Sequence, residues 1–371
     1  MGVGDLNKFL KEKIPHAFQT VNSADLNGRK IASDAPIFIK KHASTLHKNM
    51  LYELKSPTDE YSRDEFEFRL KLNILIALMK LLKNGTLPVK IFDGPQRPEK
   101  AECSAKRMEE KMKVRAKISA AYLEYISKHP LERTREDDIK LLKLREQDFL
   151  SGRPLTKEEY DSSVNNYRNL MIIKELVEYI GIPTFTAQHD AEKLCASLSM
   201  EGKVFGVLST DTDNYVCGTK ITISKIYPNG TMDIVILDYI LQFFQEDFQC
   251  NPVQAVQVFT DFCIMCGCDF NHNIAGIATK TSHKLLKQYG NIDNIGCIKD
   301  ISCLKHFRCR EIFAPEPSRI FEDKLQLNTE KFVRGMNDLL IYFQSEILKS
   351  SYSLVNMSFF VKKVILFEGG I

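Results

Sequence analysis

No stretch of this 371-residue chain is apolar enough to cross a bilayer. The longest apolar run, Leu72 to Leu82, is interrupted by Asn73 and Lys80, and a spanning helix needs roughly 20 such residues. The opening residues, Met1-Gly2-Val3-Gly4-Asp5-Leu6-Asn7-Lys8, lack the apolar core of a secretory signal. They also fail the myristoylation pattern, because Leu6 stands where Ser or Thr is required. With no sign of export, the ten cysteines are expected to be reduced thiols of an intracellular protein. Repeats and low-complexity tracts are absent too. The net charge of +3 is too small by itself to announce a polyanionic partner. What remains, 44% hydrophobic and 27% charged residues, is an ordinary globular balance, long enough for one large domain or two smaller ones.

What the chain does have is a set of apolar runs that stop abruptly at acids. Val204 to Leu208 suits a buried parallel strand and leads through Ser209-Thr210 to Asp211-Thr212-Asp213. Arg29 to Ser33 follows an Asn27-Gly28 turn and ends at Asp34, and Val89 to Phe92 ends at Asp93-Gly94-Pro95. Between those two strands a helix is expected from about Arg63 to Lys83, stopped by Asn84-Gly85. Strand, helix and strand with an acid at each strand end is the pattern of a βαβ unit. Further expectations are a short amphipathic helix over 4–14, a strand at Ile182–Phe185, a helix opened by Asp190-Ala191-Glu192, and a hairpin over Lys220–Leu237 turning at Pro228-Asn229-Gly230. An apolar helix from Val253 to Met265 leads into Gly267-Cys268-Asp269 and Ile274-Ala275-Gly276-Ile277, with another helix over 279–289. Helices without a chemical motif follow from Cys303.

Residues 97–180 are highly charged and helical by propensity, with a break near Ser151-Gly152-Arg153-Pro154. Between Arg97 and Ile118 stand eight basic residues, Arg97, Lys100, Lys106, Arg107, Lys111, Lys113, Arg115 and Lys117, against four acids. Such a segment is either a solvated helix with local ion pairs or a positive arm over a polyanion.

Seven acids stand out by position: Asp34, Asp93, Asp190, Glu192, Asp211, Asp213 and Asp269. Each alone has an ordinary explanation as a cap or turn former. Together they form three strand-end acids, two acid-x-acid pairs and a loop acid, and ligands in open α/β sheets sit past the carboxyl ends of the strands. Clustered carboxylates repel and are costly to bury. Hard oxygen ligands suit Mg²⁺ or Mn²⁺ rather than Zn²⁺, and two such ions can clamp a phosphoryl displacement. Cys263, Cys266 and Cys268, with Cys297, Cys303 and Cys309, could be drawn as a second metal site. Cys263 and Cys266 fall on an apolar helix, however, where cysteine behaves as a small hydrophobe. His189 reads either as a support beside Asp190 or, more ordinarily, as a surface histidine.

In order and content these segments resemble the flap endonuclease (XPG-type) family of structure-specific 5′ nucleases. The resemblance runs from Met1-Gly2-Val3-Gly4-Asp5-Leu6 through Arg29–Ala35, Phe92-Asp93-Gly94, Ala187–Glu192 and Ser209–Asp213 to Gly267-Cys268-Asp269-Phe270 and Ile274–Ile277. It implies a PIN-like α/β fold, a central mostly parallel sheet flanked by helices, with a helical arch and a helix–two-turn–helix element that grips duplex DNA. It implies a nuclease region over 1–96, the arch or an insertion over 97–180, an internal nuclease region over 181–300 and a C-terminal helical region over 301–371. The seven acids become ligands of two Mg²⁺ ions, direct or through water. Lys100 and Arg107 become the residues that hold the scissile phosphate. Gly2 is placed beside the site, and Lys106, Gly276 and Lys280 against DNA.

The implied activity is two-metal hydrolysis of flapped or branched DNA in replication, repair or recombination, by a monomer in the nucleus or at a viral replication site. A 5′ exonuclease, a junction resolvase, an exoribonuclease and a non-catalytic DNA-binding relative stay open. This chain departs from the family pattern at several points. Asp190 stands in place of Glu, Ala278 and Thr279 in place of a Gly and a Pro, and Lys40 in place of an aromatic residue. An insertion is expected near 130–162. No Gln-led sliding-clamp motif is found, and Phe359-Phe360 reads as core or partner surface. These departures suit a divergent member, such as one from a large DNA virus.

Overall fold

A computed structural model of the chain describes residues 2–149 and 166–349. The expected break at Ser151–Pro154, the later part of the expected insertion, and Phe359-Phe360 lie outside the described residues.

A seven-stranded sheet organises the molecule, with strand order β1-β7-β6-β5-β2-β3-β4. Its centre is β2 (Lys30–Asp34), flanked by β3 (Leu87–Phe92) and β5 (Gly206–Leu208). Both neighbours run parallel to β2, as do β4 (Thr184–Thr186) beyond β3 and β6 (Ile221–Ile226) beyond β5. A strand covered on both faces reads as a continuous apolar run, and Ile31, Ala32, Val89, Ile91 and Val207 are all fully buried. The hairpin partner β7 (Thr231–Ile236) and the edge strand β1 (Phe18–Asn22) close the sheet antiparallel.

From β2 the chain moves outward through β3 to β4, then crosses back to lay β5 on the other side of β2. The strand order therefore reverses between β2 and β5. In open α/β sheets that point opens a crevice at the carboxyl ends of the strands, and Asp34 and Asp211 stand on its two sides.

Two apolar bodies flank the sheet. One joins α2 (Ala35–Glu53), α3 (Arg63–Lys83), α6 (Asn166–Tyr179) and α14 (Thr329–Lys349), through Ile39, Leu46, Phe66, Ile74, Ile173 and Phe332. The other joins α1 (Leu6–Lys13), α9 (Leu237–Phe248), α10 (Pro252–Cys266) and α11 (Thr279–Tyr289), through Phe9, Phe244, Phe262 and Leu286. Asn251 and Gln254 form a capping box at the start of α10, with Pro252 at the first helical position. The buried carboxylate of Asp261 accepts two hydrogen bonds at 2.7 Å from Arg310 of α13 (His306–Phe313), tying that helix to α10.

Between β3 and β4 the chain leaves the sheet as α4 (Ala101–Ser127), a 27-residue helix in which only Lys111 and Tyr125 are buried. It folds back through α5 (Arg135–Phe149), which packs on α2. The return is held by Tyr125 donating to Asp138 at 2.7 Å and by the Lys128–Asp137 and Lys140–Glu124 ion pairs. The acids of the first turn of α5 also suit its N-terminal dipole.

Candidate active site

The acids meet where the topology predicts. Asp34 ends β2 and caps α2, accepting from the Ile37 N–H at 3.0 Å. Asp93 follows β3 and accepts from the Ala191 N–H at 2.9 Å, which ties the β3 end to the start of α7 (Ala191–Met200). Glu192 stands in the first turn of α7. After β5, the turn Ser209–Asp213 folds on itself: Ser209 Oγ accepts from Asp211 N–H at 3.1 Å, and Asp211 Oδ1 from Asp213 N–H at 3.2 Å. Asp213 opens the short helix α8 (Asp213–Val216).

These carboxylates repel one another. Burial, then the charges of Glu192, Asp93 and Asp211, holds the Asp34 carboxyl well above its ordinary pKa. Burial, then Asp211, Cys268, Asp269 and Glu192, does the same to Asp213. Burial outweighs the pull of Lys100 and, with Asp93 and Asp211, pushes Glu192 up to about 8. Burial also raises Asp211. Asp34, Asp211 and Asp213 are 5% exposed or less. Glu192 Oε2 and Asp213 Oδ1 are buried without a hydrogen-bond partner among the described residues. An orphaned buried carboxylate oxygen is costly, so two of them within one acidic cluster fit a site completed by a hard cation. Among the described residues no three His, Cys, Asp or Glu side chains stand close enough together to hold a metal ion. In chemical type the carboxylate donors suit a hard divalent ion such as Mg²⁺.

Asp190 differs from its companions. Its Oδ1 is 2.7 Å from Lys100 Nζ and its Oδ2 accepts from Arg97 Nε at 2.7 Å. Burial opposes ionisation, but Lys100 and Arg97 outweigh it and bring the Asp190 carboxyl below its usual value. Lys100 in turn is partly desolvated, yet Glu192, Asp190 and Asp269 keep its ammonium charged above its usual range. Arg107 Nη2 reaches both oxygens of Asp269, at 2.8 and 2.9 Å, and Cys103 Sγ lies 3.7 Å from the same group. Half-buried Lys40 has its pKa lowered by burial and by the nearby Arg107. The base of α4 thus sets Lys100, Arg107 and Arg97 against the acids. Lys106 is exposed on α4.

The N-terminal segment packs against the Asp211–Asp213 turn. Gly2 has φ +92°, and a Cβ there would lie 2.1 Å from Asp211 Oδ1 and 2.5 Å from Thr212 Oγ1. Only glycine tolerates both that backbone and that approach. Gly4 donates to the Gly267 carbonyl at 3.0 Å, and its own carbonyl accepts from Thr279 Oγ1 at 3.4 Å. This links the acidic turn to the loop between α10 and α11. Inside that loop buried Asn271 donates to the Ile264 and Leu304 carbonyls at 2.8 and 3.0 Å and accepts from Cys268 N–H at 2.8 Å. Gly276 turns the loop at φ +75°. Lys280, on the first turn of α11, is exposed and paired with Glu12 of α1 at 2.7 Å.

Cys263, Cys266 and Cys309 are buried free thiols, and Cys297 is exposed and apart. Cys268, a half-buried free thiol, donates to Asn271 Oδ1 at 3.3 Å. His189 is half-buried, with Nδ1 3.0 Å from the Pro95 carbonyl oxygen. Two site residues escaped the sequence. Arg97 was one basic residue among eight, and its partner Asp190 lies 93 positions away. Gly94 read as a strand-end turn, yet a Cβ there would meet the Ala187 carbonyl oxygen at 2.2 Å. A glycine directly after a strand-end acid is the signal that could have found it.

Known proteins resemble this chain in sequence and in fold. The XPG N-terminal domain model matches residues 1–114 and the XPG I-region model residues 181–269. Flap endonuclease 1 of Cryptosporidium muris is 28% identical over 312 residues, covering 80% of this chain and 57% of the relative. Flap endonuclease 1 of Glycine max is 27% identical over 296 residues, covering 80% of this chain and 68% of the relative. The chain therefore spans little more than half the length of the Cryptosporidium protein. Among solved structures, flap endonuclease-1 from Methanococcus jannaschii aligns with a TM-score of 0.54 at 18% identity, over 86% of this chain and 90% of its own. The catalytic core of Rad2 in complex with DNA substrate aligns with a TM-score of 0.50 at 18% identity, over 90% and 81%. The sheet is that of these PIN-like nuclease folds, and with the N-terminal and I-region models together matching more than half of its residues, the chain belongs to the XPG-type family of flap endonucleases.

Proposed function

We propose that the chain is a Mg²⁺-dependent, structure-specific 5′ nuclease that hydrolyses a phosphodiester of flapped or branched DNA in replication, repair or recombination. The observation that carries this reading is the cluster of mutually repelling strand-end acids with two orphaned buried oxygens, faced by Lys100 and Arg107. Two Mg²⁺ ions, or Mn²⁺ in their place, would polarise the phosphodiester and its attacking water and support the leaving 3′ oxygen.

Asp34, Asp93, Glu192, Asp211, Asp213 and Asp269 would hold those ions, directly or through water. Asp190 would do so only through water or after leaving its cations. Lys100 and Arg107 would bind the oxygens of the scissile phosphate and offset the charge that grows there in the transition state. Gly2 would keep the Asp211–Asp213 turn in place. Lys106 on α4 and the Gly276–Lys280 segment would grip phosphates away from the cut, which positions the substrate without reading its sequence.

A panel of a 5′ flap, a nicked duplex, a mobile four-way junction and RNA, each with Mg²⁺, tests this. Cleavage of the flap at its base is expected to dominate. Cleavage concentrated on the junction, or stepwise from a 5′ end, would reassign the chain to a sibling activity. Binding of branched DNA with no cleavage of any substrate at saturating Mg²⁺ would make it a non-catalytic binder.

A further inference from the structure

Behind the Asp190 wall of the acidic site lies a separate cavity of about 410 Å³, bounded by the β4 end, the first turns of α7 and the 316–320 loop. Its size is that of a small-ligand pocket. Its walls carry three cations, Arg97, Lys193 and Arg319, against two acids, Asp190 and Glu316. Arg97 has five N–H donors, and its side chain is only 11% exposed. Nε alone has a partner among the described residues, which is Asp190. The remaining donors of Arg97 have no partner among the described residues, and Arg97 lines the cavity. Lys193, just as buried, spends its charge on Glu316 at the rim. Arg319, also on the rim, has no partner among the described residues and sits at φ +54°. His189 adds a further nitrogen to the wall. Phe185, Leu194 and Ile320 supply an apolar side.

The geometry points to a 5′-nucleoside phosphate as the ligand of this cavity: phosphate on Arg97 and Arg319, base or sugar against Phe185 and Leu194. A guanidinium with spare planar donors is the side chain best suited to a phosphate group. An apolar face beside it fits a nucleoside and not a bare inorganic anion. Two sources share this chemistry, the phosphorylated 5′ end of a DNA strand and a free mononucleotide. Because Arg97 also holds Asp190, occupancy of the cavity would loosen the Asp190 pair and couple strand-end recognition to the acidic site. This inference goes beyond the nuclease reading, and the binding it describes needs neither metal nor cleavage.

The test is a titration of the full chain in EDTA with three probes: thymidine 5′-monophosphate, 5′-phosphorylated tetrathymidylate and 5′-hydroxyl tetrathymidylate. The phosphorylated strand is expected to bind about tenfold tighter than the hydroxyl strand, the effect of one charge-assisted hydrogen bond. Arg319→Glu is expected to erase that difference, and Arg319→Lys to restore part of it. Mononucleotide competition with the phosphorylated strand identifies a site open to both sources. Binding of the phosphorylated strand alone assigns it to strand ends, and binding of the mononucleotide alone to the free nucleotide. Equal binding of the two strands together with no mononucleotide binding, or an Arg319→Glu protein that behaves as the parent, overturns the inference. A protein that never cuts DNA can still pass this test, so its failure and that of the nuclease reading are distinguishable.

Discussion

Asp190 and Lys100 form an ion pair at 2.7 Å on the rim of the acidic cluster, so the one acid of the set with its pKa lowered is the one that faces a lysine. Asp34, Asp93, Glu192, Asp211 and Asp213 face each other, and Asp269 faces Arg107. The seven acids therefore divide by environment into a repelling group that gains from a cation and two members already paired, Asp190 with Lys100 and Arg97 and Asp269 with Arg107. Asp211→Asn is expected to weaken Mg²⁺ binding far more than Asp190→Asn does, measured by calorimetry. Asp93→Ala and Asp211→Ala are expected to abolish cleavage while leaving flap binding in place. Lys100→Met is expected to slow cleavage by about 10²–10³-fold, the cost of one lost transition-state donor, while Mg²⁺ affinity rises because a competing cation is gone. Full cleavage by Asp211→Ala, or an unaltered rate in Lys100→Met, would remove the assigned roles.

The same repulsion sets a pH dependence. The Glu192 carboxyl rises from its usual 4.5 to about 8 in the folded protein, and Asp34, Asp211 and Asp213 rise with it. Above pH 4.5 the unfolded chain releases these protons while the folded chain keeps them. Stability contributed by the protonated cluster is thus full below the unfolded pKa and is lost as pH rises through the folded one. In EDTA the melting temperature is expected to fall across that window. Mg²⁺ replaces the protons, so the stabilisation it gives is expected to grow with pH over the same range. A melting temperature in EDTA that rises steadily from pH 5 to pH 8 would contradict the cluster's electrostatics.

Gly2 offers a way to disturb the site from outside the acids. Gly2→Ala forces a Cβ to 2.1 Å from Asp211 Oδ1, whereas Gly28 has a similar positive φ of +68° and nothing within 4 Å. Both substitutions carry backbone strain of about 1 kcal/mol. Only Gly2→Ala should also displace the Asp211 carboxylate. It is expected to lower Mg²⁺ affinity and cleavage well beyond its effect on melting temperature, while Gly28→Ala changes melting temperature alone. Equal effects of the two on metal binding would mean that Gly2 does not shape the site.

The acids were legible because a parallel strand buried on both faces has to be apolar and has to stop somewhere. Asp34, Asp93 and Asp211 mark those stops. The hairpin over β6 and β7 and the bounds of α3 and α11 were legible for similar local reasons. Helix α2 was not, because Lys40-Lys41-His42 interrupts its apolar stripe of Ile39, Ala43, Leu46 and Met50. Edge strand β1 buries none of its residues, so no alternation marks it. Helix α9 follows directly on the hairpin and reads as a continuation of it. Lys90 inside β3 suggested nothing, yet it is fully buried, 3.1 Å from Ser33 Oγ and 3.3 Å from the centre of the Phe38 ring. Each of these depends on a partner distant in sequence, as does the pairing of Arg97 with Asp190.

The role proposed for Lys280 can be read from salt dependence. In the structure its ammonium is committed to Glu12, an exposed partner that a DNA phosphate could replace. Glu12→Gln removes that competitor and is expected to raise affinity for duplex DNA at low ionic strength, with the gain fading as salt is added. Lys280→Met is expected to weaken binding to all duplex sequences alike and to flatten the slope of log affinity against log salt by about one contact. Fluorescence anisotropy of a plain duplex across a salt series separates the two. If Lys280→Met keeps both the affinity and the slope of the parent, the loop at Gly276 and the start of α11 do not touch the DNA backbone, and the duplex lies on another face.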